Sequence, residues 1–127
     1  MTPADILAAA GRLLERPDAK TAPIWPRAAA LLARQALEQG LDQFWRGKGL
    51  KLDGLATKPQ LICLPAYLAD RELAAKANDA WSNLTRACHH HPYELGVSQE
   101  ELKTWLETVA TTLAATETPG IGRREAR

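Results

Sequence analysis

An all-α fold, an up-and-down bundle of four long helices plus a short kinked one, is what this sequence predicts, and three observations carry that expectation. Alanine and leucine dominate while β-branched residues are few, a composition that favours helix over strand. No stretch alternates strictly between apolar and polar residues. Helix-start signals recur along the chain, each followed by apolar residues at helical spacing.

Thr2, Pro3 and Asp5 open the first helix, with Ile6, Ala10, Leu13 and Leu14 as its inner stripe, and Pro17 closes it. After the turn-rich RPDAKTAP, a long helix is expected from about Pro26 to Arg46. Its stripe of Ala30, Ala33, Leu37, Leu41 and Phe44, widened by Leu32 and Ala36, makes it the central element. Gly47, Gly49 and Gly54 then mark an irregular loop. Thr57 with Gln60 reads as a capping box for a short helix through Leu68 that Pro65 should kink or divide. Asp70 caps a helix to about His90, with Leu73, Ala77, Ala80, Trp81, Leu84 and Cys88 inward. Ser98 and Glu101 form a second capping box before Leu102, Trp105, Leu106, Val109 and Leu113.

The 127 residues suffice for one core, so residues 1–118 are expected to form a single domain and residues 119–127 a flexible basic tail. The formal charge of +1 offers no global argument for nucleic acid or an anionic membrane. Only Cys63 and Cys88 occur, with no secretory pattern at the start, which suits reduced thiols in a cytoplasmic protein. No apolar run approaches the roughly 20 residues of a spanning helix, so no membrane partner is expected. Nothing points to a cofactor.

The chemistry concentrates in RACHHHPYEL, residues 86–95. A cysteine and three histidines are ligand types that zinc prefers, but adjacent helical residues point about 100° apart and the chain has no other histidine. No metal site is therefore expected. Asp79, Asn83, Arg86 and His90 share one polar face of the helix, while Leu84, Cys88 and His91 continue the buried one. Pro92 pushes His91 out of the helical region and can redirect it toward Arg86.

The long alanine-rich second helix, the kinked third and Arg86-Ala87-Cys88-His89-His90-His91 resemble a HEPN domain (higher eukaryotes and prokaryotes nucleotide-binding), whose ribonuclease members carry an arginine, four to six residues, then a histidine. The likeness spans most of residues 26–116, and Ala87 departs from the asparagine or aspartate that many active members place after the arginine. It implies metal-independent RNA cleavage in the cleft of a homodimer. Arg86 would stabilise the phosphorane and His91 would move protons, with His90 as the other histidine for that role. Toxin and defence systems are the settings it implies, with an antitoxin or a nucleotidyltransferase-like protein as partner.

Lys48, Lys51 and Lys58, beside Arg46, form the one local basic cluster where RNA phosphates would be expected. Glu38, paired with Arg34 four residues before it, Asn83 and Tyr93 are the candidates to orient the catalytic pair. A plainer reading stands beside this one. Arginine and histidine suit the last turn of any helix, where cations meet its free carbonyls, and the protein is then a catalytically inactive helical dimerisation or interaction module. Of the tryptophans, Trp81 and Trp105 are expected in the core, and Trp25 or Trp45 is a candidate to face a partner.

Overall fold

The computed structural model describes residues 1–15, 25–89 and 98–117. They form α1 (Pro3–Glu15), α2 (Trp25–Gly47), α3 (Thr57–Cys63), α4 (Arg71–His89) and α5 (Gln99–Glu117), with 3-10 turns at Lys51–Gly54 and Leu64–Ala66. No strand occurs among the described residues, so the fold class is the all-helical one that the composition predicts. No helix among them is long and apolar enough to cross a membrane.

Three helix starts are built as their sequences predict. Thr2 and Asp5 cap each other reciprocally, the Asp5 N–H donating to Thr2 Oγ1 and the Thr2 N–H to Asp5 Oδ2, both at 3.1 Å. Ser98 and Glu101 repeat the arrangement ahead of α5, again with both bonds at 3.1 Å. Asp70 Oδ1 accepts the Leu73 N–H at 3.0 Å and starts α4.

The third expected box is not one. The N-cap of α3 is Ala56, without a side-chain cap, and Gln60 is 2% exposed, its amide turned inward to tertiary partners. Pro65 ends α3 as expected: lacking an N–H and crowding the preceding turn, it leaves a 3-10 turn in place of a continued helix.

α2 is the central helix, packing on α1, α4 and α5. Its buried Ala29, Ala30, Ala33 and Ala36 let neighbouring backbones approach, and Leu37, Leu41, Phe44 and Trp45 fill the space beyond. At Gly40 the approach is closest, since a Cβ there would overlap Leu113 Cδ2 of α5. α2 and α4 run antiparallel: Arg27 near the start of α2 meets Cys88 in the last turn of α4, and Glu38 meets Trp81. On α5, Thr112 and Thr116 are buried because their hydroxyls donate to the carbonyls of Thr108 and Leu113 within the same helix.

The glycine loop departs from the irregular segment its composition predicts. Gly49, at φ +72°, lets its N–H bond Arg46 O and the Leu50 N–H bond Trp45 O, both at 3.0 Å, a Schellman closure of α2. Leu50 and Leu52 then pack on the core, which draws the glycine-rich stretch into a 3-10 turn.

Trp45 is also a correction. It is fully buried and so is no candidate to face a partner. Its ring stands edge-on to Phe44 at 4.9 Å and to Tyr67 at 5.4 Å. Its Nε1–H donates to Gln60 Oε1 at 3.1 Å, and Gln60 Nε2 donates in turn to Leu55 O at 2.9 Å and Asp42 Oδ1 at 3.1 Å. Trp81 and Trp105, expected in the core, are half-buried against it.

Candidate functional site

α4 carries the candidate arginine out of the bundle. Its buried line runs through Leu73, Ala77, Ala80, Leu84 and Ala87, so Arg86, one residue before Ala87, is rotated about 100° away and is exposed. Asn83, three residues earlier on the same face, accepts a hydrogen bond from Arg86 Nη2 at 2.6 Å. Asn83 and Arg86, expected on one face, are joined there by this bond. One edge of the guanidinium is fixed and the other points to solvent among the described residues. His90, His91 and Tyr93 lie outside the described residues.

Glu38 sits on α2 facing α4. Its Oε2 accepts the Trp81 Nε1–H at 3.0 Å and stands 3.5 Å from Arg34 Nε in an ion pair. The contact is an ion pair without a hydrogen bond, and Arg34 Nε is a buried donor without an acceptor among the described residues. Close by, Arg27 closes the end of α4, donating from Nε at 3.3 Å and from Nη2 at 3.1 Å to Cys88 O.

A groove of about 370 Å³ opens between these elements, lined by Arg27, Ala28, Leu31, Arg34, Cys88 and His89. Burial pushes the Cys88 thiol above its ordinary pKa, and Glu38 adds to this, while Arg34 and Arg27 pull the other way. Cys88 is a thiol here, not a thiolate nucleophile.

The basic cluster of the glycine loop lies elsewhere. From Arg27 to Arg46 the axis of α2 climbs about 28 Å, so Lys48 and Lys51 lie toward the far end of the α2–α4 pair from Arg86, whereas Lys58 reaches the middle of α4, about 12 Å along its axis from Arg86. Several of its charges are also engaged. Lys58 Nζ donates to Asn78 Oδ1 at 2.7 Å, Arg46 pairs with Asp53 at 3.4 Å, and Lys48 Nζ rests 5.1 Å from the Phe44 ring centroid. Lys51 is exposed. No group of three or more His, Cys, Asp and Glu side chains among the described residues is placed to hold a metal ion.

Arg27 is the functional-site candidate that the linear pattern does not announce. One signal exists: a cation in the first turn of its own helix opposes the helix dipole, so its favourable partner must belong to another element. That partner is the carbonyl end of α4. No known protein family, curated protein or solved structure matches the chain.

Proposed function

We propose that this protein is a HEPN-like up-and-down helical bundle that cleaves RNA without a metal, as a cytoplasmic homodimer of the toxin or defence type. An antitoxin or a nucleotidyltransferase-like protein is then its natural partner. What supports the reading is Arg86: exposed on the last turn of α4, steadied by Asn83 at 2.6 Å, and with one edge unengaged among the described residues.

In this reaction the ribose 2′-oxygen attacks the adjacent phosphorus as a histidine takes its proton. The P–O5′ bond breaks, the 5′-oxygen leaves with a proton, and a 2′,3′-cyclic phosphate remains. Arg86 meets the extra negative charge of the phosphorane with charge-assisted hydrogen bonds. His91, outside the described residues, is the histidine assigned to proton transfer, and His90 is the second candidate.

A second reading, an inactive interaction module, is favoured by one specific observation. Ala87 is 2% exposed, so the position after Arg86 serves the core and has no room for the polar residue that many active relatives of the pattern carry there.

Incubating the full chain with mixed single-stranded RNA in chelator separates the two. Cleavage by wild type that falls about 100-fold or more in Arg86→Ala and His91→Ala carries the ribonuclease reading. Cleavage that survives both substitutions sinks the pair, and no cleavage by wild type leaves the interaction module.

A further inference from the structure

Three cationic or ionisable side chains from two helices converge on the α2–α4 groove. Arg27 and Arg34 come from α2, seven residues apart and therefore on one face, and His89 comes from the last turn of α4. Among the described residues the carboxylate beside them is Glu38, which already accepts from Trp81. The local balance is thus +1 with His89 neutral and +2 with it protonated.

The α4 carbonyl end subtracts roughly half a charge, which leaves the groove positive with Arg27 bonded directly to that end. Using Nε and Nη2 on Cys88 O fixes the Arg27 fork and leaves its Nη1 donors over. Arg34 is held down, its side chain 22% exposed and its buried Nε 3.5 Å from Glu38 Oε2, so its Nη groups are the ones that can meet a ligand. Beside the cations, Leu31, 39% exposed, and Ala28 make an apolar floor. By contrast, the α1–α5 grooves of about 330 and 400 Å³ are rimmed by Glu15, Glu107 and Glu117, with Lys103 as their one cation.

We infer that this groove is a phosphate-binding site, in which Arg27, Arg34 and His89 hold the phosphate of a nucleotide unit whose sugar and base lie over Leu31 and Ala28. At about 370 Å³ the groove falls in the range of small-ligand sites and suits one nucleotide. Planar arginine forks matched to phosphate oxygens supply the specificity. Taking that nucleotide to be part of an RNA strand rests on the ribonuclease reading above; holding a phosphate does not. The proposal moves RNA phosphate contacts from Lys48, Lys51 and Lys58 to the end of the bundle that carries Arg86.

The test is a nuclear magnetic resonance titration of the full chain with inorganic phosphate, uridine 3′-monophosphate and uridine, following arginine Nε–Hε and histidine ring signals. The expected result is a saturable shift of the Arg27, Arg34 and His89 signals with both phosphates, tighter for the nucleotide, and none with uridine. Arg34→Gln should weaken binding about tenfold, the size expected when one charge-assisted contact is lost, and Lys58→Ala should leave it unchanged.

Shifts confined to other residues, unchanged affinity in Arg34→Gln, or an equal loss in Lys58→Ala overturns the proposal. Should Arg34→Gln not fold, the wild-type signals and Arg34→Lys, which keeps the charge but loses the fork, decide it in the same way. Phosphate binding without RNA cleavage removes only RNA as the source, and Arg86-dependent cleavage without groove binding removes only the groove.

Discussion

Replacing Gln60 by methionine removes one amide while keeping nearly the same length and volume, so the cost isolates the polar network under α3. Trp45 is fully buried, and without Gln60 Oε1 its Nε1–H has no partner, a loss of about 1–3 kcal/mol. Leu55 O forfeits a bond worth about 0.5–1.5 kcal/mol, toward the lower end because Leu55 is exposed. Asp42 keeps access to water and adds little. The sum is about 2–4 kcal/mol, which for a chain of this size lowers the melting temperature by roughly 10 °C.

Thermal unfolding followed by circular dichroism and by tryptophan fluorescence measures it. A double-mutant cycle with Trp45→Phe, which deletes the donor itself, should show a coupling of about 1 kcal/mol or more. A Gln60→Met melt within about 1 °C of wild type, or zero coupling in the cycle, would refute the reasoning, because a buried donor would then have been left bare at no cost.

Other measurements test the remaining contacts. Gly40→Ala is expected to destabilise by about 1–3 kcal/mol despite its better helix propensity, since the added methyl meets Leu113; equal or higher stability would show that α2 and α5 can part there. The Thr2 backbone N–H, and then the Thr2 hydroxyl, hold the Asp5 carboxyl below its ordinary pKa. A depressed folded value means that the contribution of Asp5 is present above the unfolded pKa and lost as pH falls through the folded one. Asp5→Asn should therefore be less stable than wild type at neutral pH, with the gap closing in acid; a gap independent of pH would deny the carboxylate its role. Because burial raises the Cys88 pKa, iodoacetamide should alkylate it more slowly than N-acetylcysteine at mildly alkaline pH, read by mass spectrometry of the peptide; a faster reaction would contradict the half-buried thiol.

The helix ends were the most legible feature because their chemistry is local. Thr2 with Asp5 and Ser98 with Glu101 meet three residues apart on any helix start, whatever the rest of the chain does. Thr57 and Gln60 have the same spacing and misled for a physical reason. A glutamine can satisfy its amide across 15 residues as readily as across three, and the buried Trp45 indole, with nowhere else to donate, settled the competition. The glycine loop was misread likewise, since its glycines weaken regular structure locally whereas the burial of Leu50 and Leu52 is a tertiary gain.

By itself the sequence determined the helical class, the order and approximate bounds of the helices, the central place of the alanine-rich α2, and the shared face of Asn83 and Arg86. All of these follow from interactions within about one turn or from the period of one helix. Only the tertiary structure decided which charges share a space. Antiparallel packing of α2 on α4 carried Lys48 and Lys51 away from Arg86 and brought Arg27, 61 residues distant in sequence, onto the Cys88 carbonyl. Periodicity gives each helix a face but not the neighbour that face will meet, and a site built across two helices depends on that neighbour.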